Sequence, residues 1–104
     1  MELYLKGKRK GYSAKAIYDT ERKAFIILKG SIVPSDVAQS EKFRGAKSII
    51  VARDKFVIDC VVKEDVVFKS SSTAANFITG RSTNGMISWK DKNGVKLKDL
   101  LDKA

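Results

Sequence analysis

The stretch Ser70-Ser71-Ser72-Thr73-Ala74-Ala75-Asn76-Phe77-Ile78-Thr79-Gly80 decides the fold class. Ser70 is of the type whose side-chain oxygen accepts a backbone N–H at a helix start, and Ala74, Ala75, Phe77 and Ile78 follow as its apolar residues. Gly80 suits the left-handed position just past a helix end, which costs glycine no side-chain clash. A helix this short is not stable alone in water, so it has to pack on a sheet. The stretch therefore predicts an α+β domain rather than a helical bundle.

Working outward, the chain supplies that sheet. Downstream, residues 81–85 read as a loop, and residues 86–90 alternate as a strand. That strand would have Met86, Ser88 and Lys90 on one face and Ile87 and Trp89 on the other. Asp91-Lys92-Asn93-Gly94 is a turn signal, and Leu97, Leu100 and Leu101 fit a closing helical turn.

Upstream, Leu3 and Leu5 alternate with Glu2, Tyr4 and Lys6. Residues 12–18 put Tyr12, Ala14, Ala16 and Tyr18 on one face, with Ser13 and Lys15 on the other. After a turn at residues 19–22, residues 24–28 are apolar on both faces, as in a central strand. Residues 40–53 keep helical spacing through Phe43, Ala46, Ile49, Ile50 and Arg53, with Ser40 placed to cap. Gly45 and the β-branched run Ile49-Ile50-Val51 oppose that helix. Residues 56–62 and 66–68 read as strands. The sum is one α+β domain over residues 1–104, a twisted and mostly antiparallel sheet with two or three short helices packed on it. A hairpin part spans residues 1–33 and a helix-loop-strand motif residues 65–101.

Composition narrows the chemistry. The 104 residues carry 21 Lys and Arg against 12 Asp and Glu, a net charge of +9, with one Cys and no His. Without His, the commonest general base and metal ligand are both missing, and a single Cys excludes a disulfide framework or a zinc knuckle. No cofactor is expected. Cys60 sits in an apolar run and reads as a small buried hydrophobe. No apolar run approaches the ~20 residues needed to cross a bilayer, and no signal peptide is visible, so a soluble, cytoplasmic protein without membrane contact is expected. The charge excess exceeds what solubility requires and points to a polyanion.

Lys6, Lys8, Arg9 and Lys10 form the densest basic cluster, framed by Gly7 and Gly11. Flexible glycines and clustered cations suit phosphate contacts, although a solvated turn would look the same. Residues 70–90 hold the other candidates. Ser70 and Ser72 open a helix whose free N–H groups favour an anion. Arg81 can take a phosphate or a guanine edge, Asn84 an adenine edge, and Ser82 lies between them. Trp89 can stack on a base or fill the core. Lys90 follows it. Asn84-Gly85 is also a plain turn dipeptide. For catalysis the chain offers carboxylates at Asp54, Asp59, Glu64 and Asp65 and a serine run, Ser70-Ser71-Ser72, that fits a helix start better than a nucleophile, with no acid–base constellation.

Phe68, Ser70, Ser72, Ala74, Ala75, then Gly80-Arg81-Ser82, Asn84, Gly85, then Trp89, Lys90, Gly94 and Leu97 make a pattern. It resembles an uncharacterised small domain often found behind GIY-YIG-type nuclease domains. It is similar also to the restriction-enzyme adenine-methylase-associated (RAMA) domain. The resemblance covers residues 65–101, and Leu28-Lys29-Gly30-Ser31 matches a further "LKGS" element. It implies DNA binding in restriction, modification or repair, with no catalysis by this domain. It carries the binding role onto Ser70, Ser72, Arg81, Asn84, Trp89 and Lys90. Ser71 stands where the pattern usually has Pro, and the middle segment is shorter than usual, which bears against the helix at residues 40–53. A standalone version would take its nuclease or methyltransferase in trans.

The expected function is thus a non-catalytic nucleic-acid-binding module, with DNA favoured and duplex ahead of single strands. Lys8, Arg9 and Lys10 would position the backbone, and Ser70 with the 81–84 loop would contact phosphate or base edges. The alternative is a regulatory domain whose positive face docks an acidic protein. A small metal-dependent nuclease using Asp54 or Asp59 has the least support.

Overall fold

A computed structural model of the protein describes residues 1–7, 11–34 and 46–102. Three strands open the chain: β1 (Glu2–Gly7), β2 (Tyr12–Asp19) and β3 (Ala24–Ile27). Helix α1 (Ala46–Phe56) leads into the short strands β4 (Val57–Ile58) and β5 (Val61–Val62), then β6 (Val66–Phe68). Helices α2 (Ser71–Thr79), α3 (Gly85–Ser88) and α4 (Leu97–Asp102) complete it. The main sheet has the order β1-β2-β3-β6 with every neighbour antiparallel, and β4 and β5 form a second, two-stranded sheet. This is the α+β architecture expected.

The period-2 pattern explains the sheet's two faces. Leu3 pairs with Ala16, Ala16 with Ile27, and Ile27 with Val66, so one buried row crosses all four strands. Leu5 and Ala14 continue the same face. Two alanines on β2 leave room for α2, which lays its own fully buried Ala74, Ala75, Phe77 and Ile78 on this side of the sheet. Strand β3 lies between two partners, with Phe25 and Ile27 buried on the core face and Ile26 only partly buried on the other.

After β3 the chain makes a bulge. Residues 28–31 lie opposite only Ala14 and Lys15, because Ile27 pairs with Ala16 and Ile32 pairs with Ser13. Gly30, at φ +90°, supplies the left-handed residue. Buried Ser31 holds the bulge closed: its Oγ donates to Leu28 O at 2.8 Å and accepts the Lys15 N–H at 3.2 Å. The "LKGS" element thus has a structural task in this chain.

Helix α2 is capped as its sequence predicts. Ser70 is extended (φ −130°, ψ 147°), and its Oγ accepts the Thr73 N–H at 3.0 Å. Gly80 is left-handed (φ 72°), and its N–H donates to Asn76 O at 2.8 Å. Helix α1 bears out helical structure over its described part and runs past Arg53 to Phe56; residues 40–45 lie outside the described residues.

Three expectations need correction. Residues 56–62 are not one strand: Phe56 ends α1, and the pairs Val57–Val62 and Ile58–Val61 close a hairpin around Asp59 and Cys60. Both turn residues have positive φ, 52° and 64°, the geometry of a two-residue hairpin loop. Cys60 is therefore half-exposed in a turn and not a core residue. Residues 86–90 are not a strand either. Asn84 Oδ1 accepts the Met86 N–H at 3.1 Å and starts the one-turn helix α3, leaving only Lys90 with strand pairing. Gly85 permits this turn, since a Cβ there would lie 2.3 Å from the Ser71 carbonyl carbon and oxygen.

Candidate nucleic-acid interface

The residues expected around α2 are mostly occupied by the fold. Ser70 spends its acceptor on the helix cap and its hydroxyl proton on Thr73 Oγ1 at 2.8 Å, while remaining exposed. Ser72 Oγ accepts the Gly85 N–H at 3.1 Å. Asn84 uses its carbonyl oxygen to cap α3. The loop between the two helices runs back along α2, pinned where the Thr83 N–H meets Asn76 Oδ1 at 2.8 Å and where the Thr79 and Thr83 hydroxyls meet at 2.7 Å. Trp89 corrects the stacking expectation. It is fully buried, its ring centroid is 4.9 Å from that of Phe25, and its Nε1–H donates to Ser71 O at 3.0 Å. Such an indole offers no face to a base.

Arg81 and Ser82 are exposed at the C-terminal end of α2, whereas Ser70 lies at its start. A nine-residue helix separates its ends by about 13 Å, so Ser70 and Arg81 do not make one phosphate pocket. Lys8, Arg9 and Lys10 lie outside the described residues. Their described neighbours are joined, Gly11 N–H donating to Gly7 O at 3.0 Å.

Lys90 leads to a different surface. Its backbone pairs with Tyr4 on the outer edge of β1, with N···O distances of 2.7 and 3.0 Å, and pairs on its other side with Lys96. Tyr4 pairs in turn with Lys15 on β2. Directly paired residues share a sheet face, so Lys96, Lys90, Tyr4 and Lys15 form a transverse row. Leu3, Leu5, Ala14 and Ala16 alternate with these residues and are buried, which puts the row on the face opposite α2. At ~4.8 Å per strand the row spans about 14 Å.

Lys6, two residues along β1, lies on the same face, and its Nζ is 5.6 Å from the Tyr4 ring centroid; Lys15 Nζ is 5.9 Å away. Two shallow depressions share Tyr4 and Lys6. One continues over Ser13, Lys15, Lys29 and Gly30, the other over Lys90, Asp91, Lys92 and Gly94. The countercharge is small. Glu2 bridges Lys15 at 3.4 Å and accepts the Tyr4 hydroxyl at 3.3 Å. Asp91 spends Oδ1 on the N–H groups of Asn93 and Val95, fixing the turn. Among the described residues Lys6, Lys29, Lys90, Lys92 and Lys96 make no ion pair. Exposed like charges this close raise the local positive potential beyond that of scattered lysines.

Alternation in residues 2–6 and 12–18 already assigns Tyr4, Lys6 and Lys15 to the non-core face. The Tyr4–Lys15 register, the docking of Lys90 on β1 and the approach of Lys29 come only from the fold. The weakest candidates, Asp54 and Asp59, do share one open depression with Arg53 and Cys60. Among the described residues, however, no group of three or more His, Cys, Asp or Glu is placed to hold a metal. No described helix is long and apolar enough to cross a membrane.

The model of a family described as a domain of unknown function (DUF4357) matches residues 3–101. No curated protein and no solved structure matches.

Proposed function

We propose that this chain, which belongs to the DUF4357 family, is a non-catalytic nucleic-acid-binding module that takes DNA through the outer face of its main sheet. The observation that carries the reading is the row Lys96, Lys90, Tyr4 and Lys15, with Lys6 beside it and, among the described residues, Glu2 as its one ion-paired acid. Cations spaced across an open sheet fit a phosphate chain, whose binding displaces condensed counterions. Catalysis would be supplied by a partner, and the resemblance of residues 65–101 suggests a nuclease or methyltransferase of a restriction or modification system acting in trans.

The test is a fluorescence-anisotropy titration with a labelled oligonucleotide over a range of salt. Affinity is expected to fall steeply as salt rises. Neutralising Lys6, Lys15 and Lys90 together to glutamine is expected to lower the log–log slope by about three, near one for each phosphate left without its lysine. A slope unchanged by the triple substitution would reject this face. A chain that binds no oligonucleotide in dilute buffer, yet retains an acidic protein, would replace the reading with the protein-docking one.

A further inference from the structure

We infer that the ligand class of this face is single-stranded nucleic acid, with Tyr4 as the stacking surface for one base; this rests on the binding reading above. Beside the lysine row lies a second row on the same face. Glu2 pairs with Ile17, Ile17 with Ile26, and Ile26 with Val67. Ile17 and Ile26 are half-exposed, and Val67 is 63% exposed. The face therefore offers a cationic stripe next to a partly exposed apolar stripe.

Those two stripes match different parts of a nucleotide. A duplex lying on an open sheet presents phosphates and sugars and keeps its bases stacked inside, so it would use the lysines and leave Ile17, Ile26 and Val67 without a partner. A single strand can turn its phosphates to the lysines and splay its bases over the apolar stripe. Tyr4 is suited to hold one of them. It is half-exposed and stands as a common wall between depressions on either side, so its ring is approachable, and Lys6 and Lys15 flank it within 6 Å of its centroid. Cations beside a ring on which a base stacks join the two interactions in one place.

The elements that would read a duplex groove are engaged elsewhere. The side-chain oxygens of Ser72 and Asn84 are taken by the backbone N–H groups of Gly85 and Met86 in α3.

The experiment uses the full chain and three labelled probes of equal length at one salt concentration: a dT oligonucleotide, the same backbone with abasic sites throughout, and a duplex of mixed sequence. The dT strand is expected to bind about tenfold more tightly than both the abasic strand and the duplex, a difference of about 1.4 kcal/mol that one stacked base can supply. Tyr4→Leu should reduce dT affinity to near that of the abasic strand, and Tyr4→Phe, which keeps the ring, should preserve the preference. Equal affinity for dT and abasic strands, or tighter binding of the duplex, overturns the single-strand inference while leaving electrostatic binding in place. No binding of any probe overturns both. The abasic comparison on the unaltered chain keeps the test valid if Tyr4→Leu does not fold.

Discussion

Arg53 occupies a position of α1 that Ile49, Ala52 and Phe56 otherwise fill with apolar groups, yet it is only 8% exposed. Its guanidinium reaches the C-terminal end of α2, where Nε donates to Phe77 O and Nη2 to Ile78 O, each at 3.0 Å. Nη1 donates to Pro34 O at 2.9 Å. A cation there meets the negative end of the helix dipole and satisfies carbonyls that lack a partner within the helix. Arg53 thus joins three segments with one side chain. Arg53→Met keeps much of the stem but leaves those carbonyls buried without a donor. It should lower stability by about 3 kcal/mol, read as a fall in the urea midpoint at constant slope. An unmoved midpoint would mean that water or neighbouring groups satisfy the carbonyls equally well. Spacing places Arg53 on the helix's inner face, but its partners are invisible in sequence, because they lie 19 to 25 residues away.

Helix α2 is the element whose outline is most legible from sequence, since local residues fix both ends: the Ser70 hydroxyl at its start and left-handed Gly80 at its finish. Ser70→Ala should cost about 1 kcal/mol in thermal or urea unfolding, the worth of an N-cap. A change within error would show that Thr73 finds another partner. Strands β1 to β3 were legible for a similar reason, as alternation continues over six and eight residues in the first two. The failures have two causes, a short segment that satisfies two periods at once and a turn without its usual residues. Met86 to Lys90 alternates well enough for a strand, but what selects a helical turn is the close approach of Gly85 to Ser71, a tertiary contact. The β-branched run ending at Val62 hides its own turn, because Asp59-Cys60 lacks the glycine or asparagine that usually marks two left-handed residues. For the candidate site, the face of Lys6 and Lys15 was legible, while the places of Lys29, Lys90 and Lys96 and the pairing that gathers them were not.

Over the whole molecule, the asymmetry between the two sheet faces matters more than the total of +9. One face is buried beneath α2 and carries the apolar rows, while the other brings Lys6, Lys15, Lys90 and Lys96 around Tyr4, with Lys29 at the rim of the depression that Lys15 shares. The same alternation produces both, so the core and the proposed interface are two consequences of one strand pattern. The protein-docking reading would use the same lysines and would bury the Tyr4 ring, Ile17, Ile26 and Val67 as well, so binding to an oligonucleotide is what separates the two. The most direct test is a two-dimensional ¹⁵N–¹H NMR titration of the labelled chain with a short dT oligonucleotide. Perturbed amides should cluster at Tyr4, Lys6, Lys15, Ile17 and Lys90 across the open sheet. Perturbations confined to residues 81–84 and the start of α2, or an unchanged spectrum at millimolar ligand, would contradict it.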